Sequence, residues 1–237
     1  MNFRLTSDTR QNLLTYVALI LVAALGIVYG EALASPNAQL RVWSWTHLLV
    51  MLAGVPFLFL QQRAGLPGFW STEVTHQQRI ITPLFIGVVF GILDVLVIKV
   101  ILHPEPYTEL PPFLQPFPYS IFLYSSGAFE IEVFYRLIPI TFILLLGTLW
   151  ADNRYGPVLF WVAAVLTSLR EPLEQLPSGS WALIVYSLGT GFGMNFLQAL
   201  WFKRAGFMAA LFIRLGHYLI WHILLGLYVE VVELGRF

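Results

Sequence analysis

Long apolar runs, broken by short polar or proline-rich intervals, set the pattern of this chain. Seven runs stand out, at 13–33, 45–60, 80–102, 119–149, 155–169, 181–200 and 207–231. Each is near the ~20 residues that a helix needs to cross a bilayer. The fourth is too long for one straight crossing, since at 1.5 Å per residue it would extend roughly 45 Å against a ~30 Å hydrocarbon core. It is therefore either strongly tilted or broken near Ser125-Ser126-Gly127, and a break would give eight helices. The pattern predicts an all-α, polytopic integral membrane bundle of seven or eight transmembrane helices. It forms a single membrane domain over 1–237, with N-terminal helices over 13–102 and a core over 119–231. The interval 103–118 carries six prolines and reads as an extended connector.

Composition sharpens this picture. The chain is 58% hydrophobic and 11% charged, with a mean hydropathy of +0.75, whereas a soluble domain is about a quarter charged. The net charge is zero and the basic residues are scattered, so no patch suits nucleic acid. The absence of cysteine excludes disulfides, a thiol nucleophile and thiolate zinc sites. The polar stretch 1–12 is followed by no convincing small-residue cleavage site, which predicts an uncleaved first helix. Lys and Arg set the orientation. Arg4, Arg10, Arg63, Arg79, Arg154, Lys203 and Arg204 fall on the N-terminal side of a seven-span layout, and Arg41 and Arg236 on the other. The expected location is the cytoplasmic (inner) membrane, with a cytoplasmic N-terminus and the 103–118 loop outside. Trp43, Trp45, Trp70, Trp150 and Trp181 lie at span ends, where amphipathic rings anchor in the interface.

Ionisable groups inside such runs cost at least about 2.5–3.5 kcal/mol each and mark paired or functional positions. The densest group is Glu130, Glu132 and Arg136, at the head of the run that continues through Leu149. On a regular helix Glu132 and Arg136 share a face, acid first, the better order for an ion pair. Glu130 lies about 200° from Glu132 on the wheel and needs another partner, water or a bend. In the third run Asp94 is deep, while Lys99, five residues on, lies near an end and can snorkel. Arg170 and Glu171 close the fifth run. His217 and His222 lie in the last, projecting about 140° apart, and Asn195 in the sixth can join a polar cluster. Carboxylate, imidazole and guanidinium without thiols point to acid–base hydrolysis by a desolvated Glu, with a His holding the water or the leaving group. Zinc is the weaker reading, because two histidines four apart with an adjacent Glu are absent. No cofactor and no metal is expected.

The segment 129–139, the order of the polar helices, and the ending Gln198-Ala-Leu-Trp-Phe-Lys-Arg-Ala-Gly-Phe207 followed by 209–221 resemble the CPBP family. This is the family of CAAX prenyl endopeptidases and bacteriocin-processing proteins, also called ABI, many of them intramembrane proteases of the glutamic type. The family's first motif is a Glu-Glu pair followed after three residues by Arg. Here Glu132 and Arg136 match, Ile131 replaces the first Glu, and Glu130 stands one position early. The second motif, Phe then His four residues later, has its counterpart in Thr167 and Glu171. The third, His then Asn or Asp four residues later, keeps His217, places Trp221 at the second position and has His222 beside it.

The resemblance covers roughly 119–225 and implies a CPBP-type bundle with a polar core of Glu130, Glu132, Arg136, Glu171, His217 and His222. It implies a divergent endopeptidase acting on a membrane-associated, hydrophobic or lipidated peptide. In that reading Glu132 or Glu130 activates water, Arg136 orients the acids, His217 polarises the carbonyl, and Glu171 tunes the cluster. The rival reading is a catalytically inactive relative that binds or scaffolds a hydrophobic peptide or a partner membrane protein. A third is a small transporter with a proton relay through Asp94, Glu132 and His217, but no inverted repeat supports it.

Overall fold

Helix follows helix along the chain, and each break has a local cause. The computed structural model describes residues 7–34, 40–151 and 154–236, without the side chains of Ser7, Trp150 and Ala151. Arg4 and the Trp150 side chain, used above for orientation and anchoring, lie outside the described residues. Among the described residues every regular element is a helix. They are α1 (Ser7–Leu33), α2 (Trp45–Leu52), α3 (Val55–Leu60), α4 (Gln77–Leu102), α5 (Tyr119–Glu132), α6 (Ile138–Ala151), α7 (Gly156–Glu174), α8 (Trp181–Ala205) and α9 (Phe207–Glu233). Four of them, α1, α4, α8 and α9, are long and apolar enough to cross a membrane.

The outward faces are apolar. Leu14, Leu21 and Leu25 on α1, Phe85 and Ile92 on α4, and Leu166 on α7 are all exposed. Exposed apolar side chains on helices of this length suit the hydrocarbon of a membrane. Glu132, Arg136, Glu171, Asn195, Gln198 and Arg214 are turned inward instead.

The single helix predicted over 45–60 is two. Ser44 starts α2 with a capping box that uses the His47 ring as the return partner. The helix then kinks at Ala53-Gly54, where Pro56 follows and Tyr16 of α1 packs so closely that a Cβ on Gly54 would lie 2.1 Å from its hydroxyl. That hydroxyl donates to the Met51 carbonyl, which also accepts from Gly54 N at 3.0 Å in the turn. Of the two alternatives for the fourth run, a break near Ser125-Ser126-Gly127 does not occur. α5 runs through it, with Ser126 Oγ donating back to Phe122 O at 2.6 Å. The irregularity lies later, at Val133–Leu137, where one wide turn joins α5 to α6.

α4 packs most heavily on the first half of α9, because glycines let the two backbones meet. A Cβ on Gly87 would lie 1.9 Å from Ile213 O, and one on Gly216 would lie 2.3 Å from Leu84 O. Small residues at such crossings are how membrane helices gain close contact without a hydrophobic drive. The consequence for the site is direct: Asp94 of α4 and His217 of α9 face each other.

Two sets of connections form around the helix ends. In one, Asn12 Oδ1 accepts from Phe69 N at 3.0 Å and Thr15 Oγ1 accepts from Trp70 Nε1 at 2.7 Å. Gly206, at φ 83°, turns α8 into α9 against the Pro67 and Gly68 carbonyls. In the other set the proline-rich segment is pinned down. Gln115 Oε1 accepts from Arg41 N at 2.8 Å, Glu230 accepts from Phe117 N at 2.9 Å, and Glu233 accepts from Tyr107 N at 2.8 Å. Lys99, expected to snorkel freely, is buried here. Its Nζ lies 2.9 Å from Glu233, donates to Glu105 O at 2.7 Å and sits over the Tyr107 ring. The 103–118 segment forms no regular element, yet it is tied to the ends of α4 and α9 at several points.

Candidate functional site

The polar core is centred on a residue that the sequence reading passed over. Arg214, on the first half of α9, is fully buried. Its Nε donates to Glu132 Oε1 at 2.7 Å, and its Nη1 and Nη2 donate to the two Glu171 oxygens at 2.7 Å each. The same Nη2 reaches Asn195 Oδ1 and Gln198 Oε1 at 3.1 Å. One planar fork therefore holds carboxylates from α5 and α7 and amides from α8, a geometry that a lysine cannot reproduce.

Glu132 and Arg136 do approach, but not as the regular-helix argument expects. Their closest atoms, Nε and Oε2, are 3.7 Å apart, and neither atom has a hydrogen-bond partner. The wide turn at Val133–Leu137 begins between them, and an i→i+5 turn shifts the following side chains off the four-residue register. Glu132 Oε1 instead accepts from Arg214 and from Gln198 Nε2 at 2.9 Å. Arg136 Nη2 donates to Gln198 Oε1 at 2.8 Å, to Asn195 O at 3.0 Å and to Asn195 Oδ1. Two carboxylates and two guanidiniums thus cancel in charge within one buried cluster. Such a cluster is strongly destabilised when one member is removed, because the other charges stay buried and unpaired.

The two histidines lie beside this cluster rather than in it. His217 Nε2 is 2.7 Å from Asp94 Oδ2, and Tyr186 of α8 donates to Asp94 Oδ1 at 2.7 Å. His217 Nδ1 is buried and has no hydrogen-bond partner among the described residues. His222 Nδ1 donates to the Phe113 carbonyl at 2.7 Å, and its ring stacks on Tyr124. The two imidazole centres are 6.2 Å apart. Glu130 is half-buried, forms no side-chain hydrogen bond or ion pair among the described residues, and is not among the residues lining the cavity described next. The structure therefore brings together Glu132, Arg136 and Glu171 through Arg214, places His217 and His222 next to them, and leaves Glu130 apart.

A cavity of about 250 Å³ joins the two sets. Glu171, Asn195 and Arg214 line it together with Asp94, His217 and His222. Phe113 from the proline-rich segment, and Gln175 and Pro177 from the turn after α7, also line it. Phe113 lies parallel to Trp221 at 5.2 Å. Wide turns adjoin the polar residues here too, at Val95–Leu102 after Asp94 and at Leu219–Leu224, which contains His222. Irregular turns of this type are frequent at functional sites. Among the described residues, no three His, Asp or Glu side chains converge in a way that could hold a metal ion.

Two signals pointed to the missed parts. Arg214 is a lone guanidinium three residues before His217 in an apolar run, and Gln198 lies one helical turn after Asn195. Comparison of the chain with protein-family models, curated proteins and solved structures finds no match.

Proposed function

We propose that the chain is a catalytically silent, CPBP-like protein of the cytoplasmic membrane that binds a hydrophobic peptide or a partner membrane protein. In this reading it has seven spans, a cytoplasmic N-terminus and a cavity facing the 103–118 side. One observation carries the choice over an endopeptidase: Arg214 engages Glu132 and Glu171 together, each at 2.7 Å. A general base must be free to take a proton from water. Glu132 of the first motif and Glu171, which stands where the second motif has His, are instead held by a guanidinium, and the charge of the cluster is already balanced.

The test is a charge-neutral change. Glu132→Gln with Arg136→Met removes the base and one cation together and leaves the Glu171–Arg214 pair whole. Complementation of a deletion strain at matched membrane levels is expected to persist. A folded double variant that fails to complement overturns the reading, since a glutamic mechanism loses at least ~10² in rate without its base.

One feature favours a second reading, hydrolysis by a different base. Asp94 orients His217 at the cavity wall, as an acid orients a catalytic imidazole. Its test is cleavage: proteoliposomes holding the chain are given hydrophobic and lipidated peptides, and fragments are sought by mass spectrometry. Fragments that vanish with His217→Gln would establish this reading over the first. No fragments from any peptide would leave binding.

A further inference from the structure

We infer that the cavity is a recognition site for a primary ammonium group carried on an apolar body, with Asp94 as the anionic anchor. The charge arrangement is the first ground. Glu132, Glu171, Arg136 and Arg214 cancel one another, and Lys99, the cation nearest to Asp94 in sequence, is held by Glu233 at 2.9 Å. Among the described residues, Asp94 is left as the cavity carboxylate with the His217 imidazole beside it and no Lys or Arg.

Its hydrogen bonding is the second ground. Oδ1 accepts one bond from Tyr186 and Oδ2 accepts one from His217 Nε2. Each carboxylate oxygen has a second acceptor site, and the side chain remains 16% exposed. The two donors orient the carboxylate and leave it able to accept from an ammonium group.

The walls are the third ground. Phe90, Phe113, Tyr218 and Trp221 line the same cavity, and aromatic faces attract a desolvated cation. At about 250 Å³ the space lies just below the usual range for ligand pockets, about 300–1,000 Å³, and suits one ring or a short aliphatic chain. The titratable and charged groups facing this space are Asp94, His217 and His222, then Glu171 paired to Arg214, with the Tyr218 phenol beside them.

The site shares its cavity with the binding function proposed above and does not require that the natural partner be a peptide. The ammonium can belong to a free amine or to the N-terminus of a peptide, and the probes separate the two. The purified chain in nanodiscs is titrated with 2-phenylethylammonium, neutral 2-phenylethanol and anionic 3-phenylpropionate, following Trp fluorescence and calorimetry. Phe-Leu-Phe-amide with a free or an acetylated N-terminus forms the peptide arm. The ammonium is expected to bind about tenfold or more tightly than the alcohol, in line with a hydrogen bond to a buried charge, and Asp94→Asn should abolish the difference. Tighter binding of the free-N-terminus peptide than of 2-phenylethylammonium assigns the site to peptides, and the reverse assigns it to free amines.

Equal binding of ammonium and alcohol by the unsubstituted chain overturns the inference, whether or not Asp94→Asn folds. So does a folded Asp94→Asn that keeps the preference. Neither result touches the charge-neutral complementation test, which reads the proposed function separately.

Discussion

Arg214 makes the contacts to both acids that were expected of Arg136. It donates to two carboxylates and two amides from three other helices, so its removal strips Glu171 of its guanidinium and leaves Glu132 with only Gln198 and the 3.7 Å approach of Arg136 in a buried site. Arg214→Met is expected to cost about 3–5 kcal/mol, more than Arg136→Met, measured as the loss of unfolding midpoint in detergent. Arg214→Lys should recover little, because an ammonium cannot span Glu132 and Glu171 at once. A smaller loss for Arg214→Met than for Arg136→Met would mean that Arg136 is the true keystone. At the same scale, Glu130→Gln should leave both stability and function unchanged, since the side chain forms no bond to the cluster. A loss of function with normal yield would return Glu130 to the site.

Between elements, the α4–α9 crossing decides whether the cavity exists. Gly87 and Gly216 let the backbones touch, and that contact sets Asp94 against His217. Gly87→Ala puts a methyl into the Ile213 carbonyl, 1.9 Å away in the unrelaxed geometry. Backbone cannot move aside as a side chain can, so the cost should reach or exceed the upper end of the ~1–3 kcal/mol usual for overpacking. Gly189→Ala is the control, since nothing lies within 4 Å of its added Cβ. It should be neutral or stabilising by up to ~1 kcal/mol through helix propensity. Thermal midpoints of the two variants in one detergent check both. Equal midpoints would mean that α4 and α9 are not in close contact.

For the whole molecule, the prediction concerns which way it lies in the bilayer. The proposed orientation puts the 61–76 loop and the α8–α9 turn in the cytoplasm, and the 103–118 segment with the α7–α8 turn outside. The native chain has no cysteine, so single substitutions report without background. Glu109→Cys should react with an impermeant thiol reagent added to intact cells, and Arg204→Cys should react only after lysis. Labelling of Arg204→Cys from outside would invert the molecule and turn the cavity towards the cytoplasm.

The lengths of the apolar runs and the composition were enough for the all-helical class, and the rarity of charge within those runs was enough to mark the polar residues that had to face inward. The cost of placing charge among apolar residues acts on each residue separately, so Glu132, Arg136, Glu171, His217 and Asp94 stand out in one dimension. Their partners do not. Which carboxylate meets which guanidinium depends on how α5, α7, α8 and α9 cross, and that is set by glycine contacts and wide turns with no sequence signal of their own. The wide turn at Val133–Leu137 displaced Arg136 from Glu132, and Arg214, 82 positions from Glu132 along the chain, took the contact. The same packing drew His217 to Asp94 across 123 positions. It moved the histidines out of the acid cluster and into a cavity wall. Separations of that size carry no periodicity, so only the tertiary structure could decide them.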